Sequence, residues 1–340
     1  MNTTRQAAHM TLDYSPASAS PKQFNRVEEQ QVRKNKPQKL CQRLAPATCG
    51  ELMQGNIGGQ DFLVNCPIER YAKATAFTAT SEGFKLRRDR HFTKVKDALD
   101  LLEQYVQSTQ SPQRNTLNAC HQGREFLLES DIPRGKGMAS SSSDIAAALA
   151  VACNIYNYAL SPTQISEIIA QVEPSDHVHL SGISQVDHLG GSLLDSFSAP
   201  NDLSVIVVDC GGEVDTQAFD RARARALYKE QQDLLINTLL TLKKGLRRQD
   251  LQLIAQAATA SARLNQEILP KAPFEALLAC TRVHGALGLN CAHSGTVLGV
   301  LHRSSDNLAH KLWQQIDRHF GESVQILGSY RVISGGCRVC

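Results

Sequence analysis

The residues best suited to chemistry in this chain lie in one run, Asp131-Ile-Pro-Arg-Gly-Lys-Gly-Met-Ala-Ser-Ser-Ser-Ser-Asp-Ile-Ala146. Glycines and four serines there separate a stretch that reads as a strand, Arg124 to Ser130, from Ser143 to Tyr158, which is rich in Ala, Ile and Leu, lacks Gly and Pro, and reads as a buried helix. A Gly-rich loop at a helix N-terminus exposes unpaired backbone N–H groups, to which the helix dipole adds positive potential, so the ligand it suits is a polyphosphate. Gly135 and Gly137 allow positive φ and close approach of the backbone to an anion. The hydroxyls of Ser140, Ser141 and Ser142 can bind phosphate oxygens or Mg2+, and Lys136 can neutralise charge beside them. A Ser-capped helix after a flexible turn would have the same composition. The run matches neither G-x-x-x-x-G-K-[ST] nor G-x-G-x-x-G.

Such a loop needs a frame. Asn56-Ile-Gly-Gly-Gln60 is a turn signal between short extended runs, and Arg70 to Thr80 is β-branched and aromatic enough for a strand. Phe92, Val95, Leu99, Leu102 and Val106 are spaced for a helix over His91 to Gln107, with a polar loop to Asn118 beyond it. Ser161-Pro-Thr-Gln164 is a capping box that opens a helix ending near Glu173, since Pro174 follows. Leu203 to Val208 reads as a strand buried on both faces. Helices are expected near 216–245 and 249–268, from Phe274 to Leu287 and around 305–319, with strands over Thr296 to Leu301 and 324–333. Residues 1–38, polar and without apolar periodicity, read as a disordered leader; a boundary near Ser196 to Asn201, where Pro200 falls, divides 39–198 from 199–340.

Composition narrows the function. A chain of 340 residues and 37.2 kDa is long enough for two domains, and its 42% apolar residues include no run of the roughly 18 that a membrane span needs. The net charge of +3 comes from the leader, with six Lys/Arg against three carboxylates, and the body is neutral, which argues against a nucleic-acid partner. Ten scattered cysteines without a secretory segment point to a reducing cytoplasm; Cys153 and Cys210 read as small buried hydrophobes, and Cys337-Arg-Val-Cys340 as a loose tail with two free thiols. Asp176-His-Val-His179 with Asp187-His188 could converge on Zn2+, but lacks i, i+4 spacing, and His188-Leu-Gly-Gly191 is better read as a turn.

Pro133 through Ser142 resembles the P-x-x-x-G-L-G-S-S-A phosphate loop of the GHMP small-molecule kinases, with Ala139 in place of the second loop glycine. Ala45-Pro-Ala-Thr-Cys-Gly-Glu-Leu-Met-Gln-Gly55 resembles that family's N-terminal motif, and Asn290-Cys-Ala-His-Ser-Gly-Thr-Val-Leu-Gly299 its third motif, both in the wording of the L-threonine kinases of cobalamin biosynthesis. On these three segments, in order, the chain is identified as a member of the GHMP kinases. The resemblance implies an α+β, two-domain fold, the N-terminal domain like ribosomal protein S5 domain 2 and the C-terminal one ferredoxin-like, with the active site between them. It implies ATP and Mg2+, with Pro133, Gly135, Lys136, Gly137, Met138, Ala139, Ser140, Ser141 and Ser142 around the nucleotide and adenine somewhere between Phe84 and Leu102.

The same resemblance assigns roles. Glu173 with Ser141 would hold the metal, Glu167 being the competing carboxylate, while Asp176 would accept the substrate proton and Lys136 would assist. A small amino acid needs a carboxylate donor and an ammonium acceptor. Glu51 suits the ammonium, with Thr48, Cys49 and Gly50 in the same turn; Asn65, Cys66 and Arg70 follow, Arg70 being either the carboxylate donor or a strand-edge charge. His293, Ser294 and Gly295 either close the site or form a tight turn. The implied activity is ATP-dependent phosphorylation of the L-threonine hydroxyl, feeding the aminopropanol arm of cobalamin. Another small alcohol such as homoserine, and a non-catalytic nucleotide-binding regulator, are the alternatives. The implied partner is a small-molecule substrate, with neither nucleic acid nor membrane.

Overall fold

The computed structural model describes residues 38–78, 85–87, 92–108, 124–212 and 220–339. The expected leader, except its last residue, Phe84, most of the polar loop after Gln107 and Cys340 lie outside the described residues. From Lys39 onward the described residues form one compact unit.

Two long strands, β1 (Lys39–Ile57) and β2 (Gln60–Thr78), pair antiparallel around a two-residue turn. Gly58 and Gly59 both take positive φ, 62° and 87°, as the central pair of such a hairpin turn requires. β2 begins at Gln60 rather than Arg70 because Phe62 to Ile68 is buried on both faces, which erases the alternation by which a strand is recognised. β1 is irregular at its centre, with register shifts on both sides of Glu51 and Gly50 at φ 53°. Bulges of this kind re-aim side chains.

The other strands are β3 (Lys85–Arg87), β4 (Arg124–Ser130), β5 (Ile183–Val186), β6 (Leu193–Phe197), β7 (Leu203–Asp209), β8 (Gly288–Cys291), β9 (Val297–Arg303), β10 (Gln325–Arg331) and β11 (Arg338–Val339). They share one sheet in the order β10-β7-β9-β8-β1-β2-β4-β3, with β11 on β1, β5 on β2 and β6 on β5. Among the described residues every ladder is antiparallel except β3 with β4. One register pair, Glu51 with Cys291, joins β1 to β8 and so ties the two stretches of sheet together. β7 is buried throughout between β10 and β9, as its apolar run predicts.

The helices are α1 (Thr93–Ser108), α2 (Ser140–Ile155), α3 (Pro162–Val172), α4 (Arg221–Glu230), α5 (Gln232–Arg248), α6 (Leu251–Asn265), α7 (Phe274–Val283) and α8 (Ala309–Phe320). Both hydrogen bonds of the capping box at Ser161 are made, and α3 stops before Pro174 as expected. The single helix expected over 216–245 is two, parted where Gln231 leaves helical dihedrals. α2 packs on β1 and β2 with Ile145, Leu149 and Val151 fully buried, each worth about 1.5–3 kcal/mol. A second core lies between β7, β8 and β9 and helices α7 and α8, around Ile206, Leu277, Leu298 and Leu312.

The chain end is not a loose tail through Val339: β11 pairs with β1, and Cys337 packs its thiol 3.5 Å from the carbonyl of Ala146 on α2. Cys153 and Cys210 are half-buried rather than buried, and both are free thiols. No helix among the described residues is long and apolar enough to cross a membrane.

Candidate active site

The Gly-rich loop is held by backbone from both other motifs. Thr48 and Gly50 donate N–H bonds to the carbonyls of Met138 and Gly137, each at 3.2 Å, while Thr296 and Val297 donate to that of Lys136 at 3.1 and 3.2 Å. These approaches are too close for side chains. A Cβ on Gly137 would lie 2.3 Å from the Cβ of Ala292, one on Gly295 2.3 Å from the Lys136 carbonyl oxygen, and one on Gly50 2.5 Å from the Cys291 and Ala292 backbone. Gly135 and Gly137 have φ of 68° and 78°, the region in which only glycine is unstrained.

Ala139 caps α2 in the left-handed region, at φ 56° and ψ 29°, and its side chain makes no cap bond. The first intrahelical N–H bond runs from Ser143 to the Ala139 carbonyl at 2.8 Å. The N–H groups of Ser140, Ser141 and Ser142 precede it, at the positive end of the helix dipole and on the wall of a cavity of about 450 Å3.

That cavity brings together Gly135, Gly137, Met138, Ala139 and the three serines with Glu173, Asp176, Glu51, His293 and Ser294. Phe92 to Val95, inside the span expected for adenine, also line it. Thr48 lies behind the wall, its hydroxyl donating to Asp176 Oδ2 at 3.2 Å. Asn65 supports the same segment: its amide donates to the Asp176 carbonyl at 3.2 Å, and its Oδ1 accepts from the N–H of Ser184 at 2.8 Å.

Several expected residues stand elsewhere. Lys136 points away from the cavity, its Nζ 2.9 Å from Asp209 Oδ2 and donating to the Gly212 carbonyl at 2.6 Å; Asp209 also accepts from the Thr296 hydroxyl at 2.6 Å. Burial opposes ionisation of Asp209, but the hydroxyl and the ammonium together hold its carboxyl below the usual range. Arg70 is also outside, because it latches β2 to the chain around it: it donates to the Tyr330 hydroxyl at 2.9 Å and to the Asp131 carbonyl at 2.5 Å, and stacks on the Tyr330 ring. Pro133 is not part of the wall, and Glu167 is exposed on α3. The histidines do not converge on a metal; among the described residues no group of three or more His, Cys, Asp or Glu could hold one.

The carboxylates of the cavity differ in what holds them. Glu173 accepts from Lys94 Nζ at 2.5 Å through Oε2, and its Oε1 is buried without a hydrogen-bond partner. Burial raises the Asp176 carboxyl to about 6, with the Thr48 hydroxyl opposing and the Glu173 charge assisting. Burial also raises Glu51, as does the charge of Asp176, against the His293 N–H that donates to its Oε2 at 2.5 Å and the ammonium of Lys271. His293, raised against His188 at 5.1 Å between rings, is kept neutral by burial, its pKa lowered to about 3. An oxygen with no partner in Glu173, beside serine hydroxyls, is a donor set for a hard cation of the Mg2+ type.

Four residues of this framework receive no role from the sequence alone. Asp144 is buried on α2 and lines the cavity; burial lifts its carboxyl to about 6 against the Arg134 guanidinium 3.6 Å away. A lone carboxylate in a helix that otherwise reads as buried was its signal. Asn290 donates to the Glu51 carbonyl at 3.3 Å, and Lys271 reaches Asn265 Oδ1 at 3.2 Å and the Ala292 carbonyl at 3.5 Å. Asn290 opens the third motif without its residue type announcing this role, and Lys271 has no local pattern to reveal it. Arg221, at the start of α4, faces the cavity beside His293.

Comparison with known proteins agrees with this architecture. Residues 94–186 match the model of the GHMP kinases N terminal domain. The chain is 30% identical over 259 residues to an L-threonine kinase of Salmonella typhimurium, covering 75% of this chain and 81% of that one. It is 27% identical over 298 residues to an L-threonine kinase of Citrobacter freundii, covering 86% and 96%. A crystal structure of homoserine kinase from Cytophaga hutchinsonii superposes with a TM-score of 0.61 at 16% identity, over 88% of this chain and 97% of that one. The fold is that of the homoserine kinase. The chain belongs to the GHMP kinases, a family that uses ATP.

Proposed function

We propose that this protein transfers the γ-phosphoryl group of ATP to the side-chain hydroxyl of L-threonine. The observation that carries the proposal is the meeting of three kinase motifs, through contacts only glycine permits, around a cavity with free helix N–H groups on one wall and Asp176 on another. The likeness to two L-threonine kinases supports the choice of alcohol.

In this reading the N–H groups and hydroxyls of Ser140, Ser141 and Ser142 cradle the triphosphate, and residues 39–198 hold the nucleotide while 199–340 complete the alcohol site. Ser141 and Glu173 hold Mg2+, whose charge, when bound, offsets that of the phosphates. Asp176, oriented by the Thr48 hydroxyl, accepts the alcohol proton as the new O–P bond forms and the bond to the departing ADP oxygen breaks. Lys136 acts indirectly, fixing the loop to Asp209. The product would feed the aminopropanol arm of cobalamin in the cytoplasm.

Phosphate transfer from labelled ATP to L-threonine, L-serine and L-homoserine tests this. L-threonine is expected to turn over fastest. Equal rates for all three would overturn the threonine assignment, and nucleotide binding without any alcohol-dependent ADP release would overturn the enzyme.

A further inference from the structure

Arg221 lines the cavity together with His188, His293 and Ser294; among the described residues the other guanidinium on its wall, Arg134, is paired with Asp144. Its Nε is buried and has no hydrogen-bond partner among the described residues. A guanidinium nitrogen withdrawn from water without an acceptor is costly, so its retention beside an open cavity calls for a ligand that supplies one. The acids nearby are committed elsewhere. Asp61 is paired with Arg225, which donates from Nε at 3.0 Å, and accepts from the Asn56 amide at 2.6 Å. Asp187 accepts the N–H groups of Leu189 and Gly190, both at 3.0 Å, within its own turn.

Glu51 lines the same cavity, fixed by the His293 N–H at 2.5 Å. Asp176 lines it too, so these two carboxyl groups and the Arg221 guanidinium share this cavity. A ligand that matches it carries an anionic group, a cationic group and a hydroxyl on a short skeleton. That is a free hydroxy amino acid rather than a simple alcohol.

We propose that Arg221 and Glu51 form a zwitterion clamp, Arg221 binding the α-carboxylate and Glu51 the α-ammonium of the acceptor amino acid. Three attachment points around one tetrahedral carbon also select its hand. A guanidinium presents two parallel N–H donors to a carboxylate, a match that an ammonium in its place would not reproduce. This inference rests on the kinase reading above, and it replaces Arg70, which the fold holds outside the cavity.

The test uses the full chain and acceptors that each lack one charge: L-threonine, L-threoninol, in which CH2OH replaces the carboxylate, and 3-hydroxybutyrate, which lacks the ammonium. The wild type is expected to favour L-threonine over threoninol by roughly 100-fold in kcat/KM. Arg221→Met should erase that preference by raising KM for L-threonine while leaving threoninol within about threefold of wild type, and Arg221→Lys should recover only part of it. Glu51→Gln should penalise L-threonine and threoninol together and spare 3-hydroxybutyrate. A wild type that treats threonine and threoninol alike overturns the clamp without any variant, as does an Arg221→Met that loses the same factor on both. Wild-type protein that phosphorylates none of the three, while binding an ATP analogue, instead overturns the kinase reading.

Discussion

At the loop end of the cavity stand Ser140, Ser141 and Ser142, whose N–H groups lie at the head of α2 ahead of its first intrahelical bond. At the other end are the side chains of Glu51, Asp176, Arg221 and His293, brought from β1, the segment after α3, the start of α4 and the loop before β9. A backbone cradle reads any polyphosphate and depends on conformation, hence on glycine and on what presses against it. A side-chain pocket reads one molecule and depends on charge. Substitutions at the first end should therefore act through geometry, and those at the second through ionisation and specificity.

The largest effect should come where the ends meet. Glu173→Gln keeps the shape of the side chain but removes the charge beside the unpaired Oε1, and kcat should fall roughly 1,000-fold with folding intact. Ser141→Ala should follow with a loss of about 100-fold. Steady-state rates across a Mg2+ titration check both: a rate restored by excess Mg2+ in either variant would identify a binding defect, and wild-type rates would place the metal elsewhere.

Asp176 should show the chemistry of the second end. Burial raises its carboxyl to about 6, so the ionised base is scarce below that pH and abundant above it. The acid limb of kcat/KM should therefore rise with pH and level off beyond that region, and Asp176→Asn should flatten the limb while lowering the rate about 100-fold. A limb that persists in the variant would assign the titration to another group, Glu51 being the first to examine because burial raises it too.

Lys136→Met separates support from catalysis. The substitution strands the buried Asp209 carboxylate without its ammonium, a loss of about 3 kcal/mol that should lower Tm by several degrees. Because the pair holds Asp209 below the usual carboxylate range, its contribution is present at neutral pH and disappears as pH falls through the acid range, so wild type and variant should converge there. A large fall in kcat with unchanged Tm would return Lys136 to the reaction.

The contrast between the ends also explains what the chain disclosed before it was folded. Gly135 and Gly137, the serines and the capping box at Ser161 work through local backbone conformation, so their spacing along the chain is their function. Arg70 and Arg221 carry the same charge, and nothing local distinguishes them; only the pairing of β2 and the position of α4 turn one towards Tyr330 and the other towards the cavity. Lys136 misleads for a related reason. Its neighbours in sequence belong to the loop, while its charge belongs to Asp209 at the end of β7. β1 and most of β2 lacked a strand pattern because both of their faces are buried.

The smallest expected effect is at Ala139. Its left-handed conformation costs an L-residue roughly 1 kcal/mol, and glycine would remove that strain while adding unfolded-state entropy of similar size. Ala139→Gly should thus change Tm by no more than about two degrees. Function should respond more than stability, because Ala139 lines the cavity beside the cradle. If the loop binds the triphosphate, the variant should lower KM for ATP severalfold and leave KM for L-threonine unchanged, since only the backbone end is altered. An equal change in both constants would mean that the two ends are coupled through α2, and that cradle and clamp cannot be tuned apart.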